Sequence, residues 1–125
     1  MNAMIYVGIP DTQKYQFRKK NELNYKRKTY NPKLELILKV VCEYYGIEVT
    51  DSKSKNRMYR TKVARFVYLY FSRLMTEDTL VDIGWVVYRN HATVLHGIKQ
   101  VQDWKRFDKS FERELKEIEV LLEIL

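Results

Sequence analysis

The residue types best suited to chemistry are concentrated in one short run, Arg89-Asn90-His91-Ala92-Thr93, with His96 close behind. A guanidinium, an amide, an imidazole and a hydroxyl can all exchange hydrogen bonds, yet together they form no catalytic set. No carboxylate pair stands beside the two histidines, and the only thiol is the distant Cys42. His91 and His96 are too widely spaced to share one helical face, which makes a common metal ion a weak reading. A phosphate loop of the type Gly-x-x-x-x-Gly-Lys-Ser/Thr is absent. The sequence therefore predicts no enzyme, no cofactor and no metal. What the run can do is recognise. Arginine suits a backbone clamp or a base contact, asparagine donates and accepts as adenine requires, and alanine can touch a thymine methyl. A helix start adds free N–H groups that attract phosphate.

Those side chains face outward only if something holds them from behind, and the stretch Thr79 to Val101 supplies it. Thr79 is an N-cap residue, and Asp82 three positions later can complete a capping box. Leu80, Ile83 and Val87 share one helical face, and Gly84 admits a neighbouring helix. Asn90 is the next N-cap, so His91, Ala92 and Thr93 form the first turn of a second helix. Val94, Ile98 and Val101 are its buried stripe. Two helices joined by a tight turn, the second offering polar groups at its N-terminus, predict a helix-turn-helix over 79–104.

Charge supports a polyanionic partner. The chain carries a net charge of +7, and the excess is concentrated in two zones. Residues 1–30 hold seven Lys and Arg against two acids, and residues 51–75 hold seven against one. In the second zone Lys53, Lys55 and Arg57 lie in a polar connector over 47–57, placed to contact phosphates beside the motif, with Lys62 and, further on, Lys99 within reach. The lone Cys42 can form no internal disulfide and fits a reducing compartment. No apolar run is long enough to span a membrane, and no signal peptide is recognisable, so a cytoplasmic, nucleoid-associated protein is expected.

The remaining elements read as helical. Residues 1–30 form a basic, tyrosine-rich arm or linker, read either as a solvated tail or as an arm on phosphates. Residues 31–125 form the folded domain. Asn31-Pro32 opens a helix whose stripe is Leu34, Ile37, Leu38, Val41, Tyr44 and Tyr45, closed by Gly46. Met58 to Met75 is a long helix burying Val63, Phe66, Val67, Tyr70, Phe71 and Leu74. Trp104 and Phe107 are expected against the core. Asp108 or Ser110 then caps a last helix with Phe111, Leu115, Ile118, Leu122 and Leu125 in register, for which core packing and self-association are both readings.

Residues 51–101 resemble the C-terminal DNA-binding domain of the bacterial replication initiator DnaA. The matching pieces are Asp51-Ser52-Lys53-Ser54-Lys55-Asn56-Arg57, Ala64-Arg65, Met75-Thr76 with Leu80-x-x-Ile83-Gly84, and Arg89 to His96. The family pattern at the last site is Gly-Arg-Asp-His-Ser/Thr-Thr-Val, and the helix over 34–45 extends the likeness. The resemblance implies an all-α, Trp repressor-like domain that binds double-stranded DNA at DnaA-box-like sites, in replication initiation or its regulation, without an ATPase. By the same resemblance His91 reads a base within the set Arg89, Asn90, His91, Ala92 and Thr93, and Arg65 makes a phosphate contact or a structural ion pair. Three departures stand out: the turn Val87-Tyr88-Arg89 is one residue shorter with Tyr88 where glycines are usual, Asn90 replaces Asp, and Ala92 replaces Ser or Thr. They imply altered sequence preference. They also motivate an alternative, an interaction module with degenerate base readout. A Trp repressor-type regulator is a third reading, requiring a dimer and a ligand pocket.

Overall fold

A computed structural model describes residues 31–124; the expected basic arm over 1–30 and the terminal Leu125 lie outside the described residues. The described residues form α1 (Pro32–Tyr45), α2 (Val49–Lys53), α3 (Tyr59–Met75), α4 (Leu80–Val86), α5 (His91–Phe107) and α6 (Lys109–Ile124). The domain is all-α, as expected.

Helix α3 is the axis of the fold. Every residue from Val63 to Phe71 is buried, all of them apolar or aromatic except Arg65, a run that covers every side of the helix instead of one stripe. A helix apolar all round must be wrapped by others. Here α1 and α5 pack against it on opposing flanks, α4 closes the gap beside α5, and α6 lies across α1 and α5. The polar end of Tyr68 is satisfied inside the core by donating to the Ile83 carbonyl of α4 at 2.8 Å. Leu74 departs from expectation at 62% exposed, while its neighbour Met75 packs against the core.

Local signals set the helix ends. Asn31 caps α1 by accepting from the Lys33 N–H at 3.0 Å, and its amide donates to Asp78 at 2.6 Å, tying the entry of the domain to the α3–α4 connection. Gly46 ends α1 in the left-handed conformation, φ 69°, where a Cβ is costly. Between α1 and α3 the polar connector contains the short helix α2, whose Ser52 is buried and donates to the Val49 carbonyl. Asp108 caps α6, accepting from Ser110 and Phe111 at 3.0 and 3.2 Å.

Trp104 packs on the core as expected, its ring stacked on Phe66 and edge-on to Phe111. Phe107 does not; it is the last residue of α5, 79% exposed, with Arg106 over its ring. In α6, Phe111, Leu115, Ile118 and Leu122 are buried, while Val120, Leu121 and Ile124 face outward. Tyr44 and Tyr45 of α1 donate to Glu117 and Glu114, pinning α6 to α1. No helix of the described residues is long and apolar enough to cross a membrane.

Candidate nucleic-acid interface

The tight corner between α4 and α5 is made by backbone. Arg89 N–H donates to the Gly84 carbonyl at 2.9 Å, Val87 N–H to the same oxygen at 3.1 Å, and Tyr88 N–H to Trp85 O at 3.2 Å. This brings Arg89 O so near that a Cβ on Gly84 would lie 2.3 Å from it and 2.8 Å from Val94 Cγ2. Gly84 thus admits both the returning turn and the first buried residue of α5. Tyr88 carries the reversal at φ 59°, a left-handed conformation that is rare for a residue with a side chain.

Asn90 then caps α5, its side-chain oxygen accepting from the Thr93 N–H at 2.9 Å. The expected stripe Val94, Ile98 and Val101 is buried, joined by Gly97. A Cβ on Gly97 would meet Leu69 Cδ1 at 2.7 Å and Phe66 Cδ1 at 3.0 Å, so α5 lies unusually close to α3. Held this way, the helix leaves His91, Ala92, Leu95, His96 and Lys99 exposed, with Thr93 half-buried at their edge. Leu95, 48% exposed, is a surface residue that sequence reasoning does not single out. Its position one turn after His91 and off the Val94–Ile98–Val101 stripe is the available signal. His96 leans edge-on against Phe66, 5.8 Å between centroids, so part of its role is packing.

Two guanidinium groups singled out in the sequence, Arg65 and Arg89, hold the protein's own backbone. Arg65 is only 6% exposed. Its Nε donates to Ser52 O at 2.8 Å, and an Nη reaches Ser54 O and Asn56 O at 3.4 and 3.3 Å. Arg89 donates to the same Ser54 carbonyl at 2.6 Å and to Val87 O at 2.8 Å. Of the two readings of Arg65, a phosphate contact or a structural ion pair, the geometry favours a structural role, with the buried guanidinium donating to connector carbonyls in place of a carboxylate. Burial, and then the neighbouring charge of Arg89, lower the Arg65 pKa to about 10, which leaves it protonated at neutral pH. Arg89 ties the same connector to the turn, which makes it first a positioning residue. Asn90 likewise commits its oxygen to the cap, the atom a bidentate adenine contact would also need.

The clamp fixes a set of cations beside the first turn of α5. Lys55 and Arg57 are exposed. Lys53 is half-buried, 3.7 Å from Glu35 and 6.0 Å from the centre of the Tyr88 ring. Lys62 lies over the Phe66 ring at 5.8 Å, and Lys99 is exposed one turn beyond Leu95. Among the described residues no group of three His, Cys, Asp or Glu side chains could hold a metal ion. Burial raises the Cys42 thiol pKa, and at 1% exposure the side chain is core.

Residues 34–101 match the family described as the bacterial DnaA protein helix-turn-helix. Similar curated proteins include the chromosomal replication initiator protein DnaA of Bacteroides thetaiotaomicron, 38% identical over 87 residues, covering 69% of this chain and 18% of that protein. The protein of the same name from Chloroflexus aurantiacus is 36% identical over 92 residues, covering 73% of this chain and 19% of its own. A crystal structure of a DNA replication initiation factor superposes with a TM-score of 0.64 at 31% identity, covering 72% of this chain and 28% of the other. The chain thus spans about a fifth of the length of these curated relatives.

Proposed function

The chain belongs to the helix-turn-helix family of bacterial DnaA, and on that premise we propose that it binds double-stranded DNA sequence-specifically, with the first turn of α5 in the major groove. His91, Ala92 and Thr93 read base edges there, and Leu95 adds an apolar contact. Arg89 and Asn90 hold that turn in place. Lys53, Lys55, Arg57, Lys62 and Lys99 neutralise phosphates on either side, and the seven Lys and Arg of residues 1–30 add to the positive charge available for this. The observation that carries this reading is the exposed start of a helix whose back face is buried against α3, flanked by a clamped basic connector. The biological setting we propose is replication initiation or its regulation, at DnaA-box-like sites, in the cytoplasm and without ATPase activity. The relatives named as chromosomal replication initiators support that setting.

Two measurements test it. Titration of a labelled duplex against increasing salt should show log K falling linearly with log salt, by about 0.9 per phosphate neutralised. Lys55→Ala should reduce that slope by about one while weakening all sequences alike. His91→Ala should lose roughly 10- to 100-fold in affinity for the preferred site, the ~1–3 kcal/mol of one good base contact, with nonspecific affinity unchanged. A second reading, an interaction module that keeps the fold without reading bases, is motivated by the short turn Val87-Tyr88-Arg89 and by Ala92. It predicts salt-dependent binding with no sequence preference, and equal affinity for His91→Ala.

A further inference from the structure

Resting on the duplex-binding reading above, we propose that Tyr88 is itself a DNA-contacting residue, its phenol hydroxyl donating to a phosphate oxygen at the rim of the groove occupied by α5. Tyr88 is the one non-glycine residue at positive φ among the described residues, at 59°. Glycine adopts that conformation freely and tyrosine does not. The return visible to the fold is small, a Lys53 ammonium 6.0 Å from the ring centre. The side chain is 65% exposed, and its hydroxyl has no hydrogen-bond partner among the described residues. A side chain kept in a strained position and left largely exposed is the pattern of a binding site more than of a core.

Its surroundings indicate the ligand. The backbone of Tyr88 sits between the capped start of α5 and the connector, bridged by the Arg89 guanidinium, which also reaches Tyr88 O at 3.4 Å. The Lys53 ammonium is 6.0 Å from the ring centre. Two cations stand near, Arg89 and Lys53, the latter also 3.7 Å from Glu35; they favour an anion, and a tyrosine hydroxyl is a neutral donor suited to a phosphate oxygen. The ring has only two rotatable angles and is already confined by its backbone, so little freedom is lost on binding. A phosphate held here would fix how the first turn of α5 enters the groove. That placement lets a shorter turn dock with the same helix.

The test uses the full 125-residue chain and a fluorescein-labelled duplex enriched by the wild-type protein from a random pool. Tyr88→Phe removes only the hydroxyl, and Tyr88→Gly relieves the backbone. Tyr88→Phe should lower affinity about tenfold or more, as expected for a lost hydrogen bond to a charged group, with unfolding temperature unchanged. Tyr88→Gly should bind at least as weakly yet unfold at the same or a higher temperature, opposite to what a structural role predicts. The salt slope should be unaltered in Tyr88→Phe, because a neutral donor displaces no counter-ion, whereas Lys55→Ala flattens it. Binding of both variants within twofold of wild type, while His91→Ala remains weakened, would overturn the Tyr88 contact and leave the duplex reading standing. Failure of the wild type to bind any duplex would overturn both.

Discussion

Gly84→Ala is expected to destabilise the domain by ~3 kcal/mol, the upper range for overpacking. The added Cβ would lie 2.3 Å from Arg89 O, a backbone atom, and 2.8 Å from Val94 Cγ2, so no side-chain rotation can relieve the clash. Either α4 moves from the turn or the turn opens, and in both cases Asn90 and His91 lose their position. For a domain of this size such a loss lowers the unfolding temperature by roughly 10 °C or more, readable by circular dichroism. Gly46→Ala is the control. A Cβ there meets nothing within 4 Å, and the cost is only that of its φ of +69°, about 1–2 kcal/mol. Equal losses for the two variants would contradict the close approach at Gly84.

Arg65→Ala is the second large effect, with an expected loss of ~3 kcal/mol from removing charged hydrogen bonds in a buried setting. The carbonyls of Ser52, Ser54 and Asn56 would lose their donor, and Arg89 alone would remain on Ser54. Duplex affinity should fall beyond the stability effect, because Lys53, Lys55 and Arg57 ride on the connector that Arg65 holds. Arg65→Lys should recover only part of the stability, since an ammonium cannot reproduce the planar fork. A direct phosphate contact predicts a different pattern: unchanged unfolding temperature and a salt slope lower by about one. Thermal melts and salt titrations of the same two variants separate the cases.

The features legible in the sequence are those encoded within a few residues. Asn90 as a cap, the stripe Val94–Ile98–Val101, the opening of α1 at Asn31-Pro32 and its close at Gly46 all follow from local hydrogen bonding and periodicity, and all are present. Gly84 is legible as a close-approach residue, although its nearest neighbour proves to be the turn itself. Features that depend on where distant segments meet are not legible. Arg65 looks like one more surface cation of a basic helix, and only the folded connector around α2 turns it inward. Leu74 fits its helical stripe and Phe107 follows Trp104, yet both are exposed at the ends of their helices. Tyr88 stands out as an unusual residue for a tight turn; that it adopts the left-handed conformation, exposed beside Lys53, required the structure.

The entire functional reading depends on the leading turn of α5 meeting base edges. Selection of bound duplexes from a random pool, run in parallel for the wild type and His91→Ala, tests this directly, because the pool contains every candidate site. The expected result is a recurrent A/T-containing motif for the wild type and loss of preference at one or more of its positions for His91→Ala. Enrichment of no motif by the wild type, or of an identical motif at equal strength by both proteins, would contradict it.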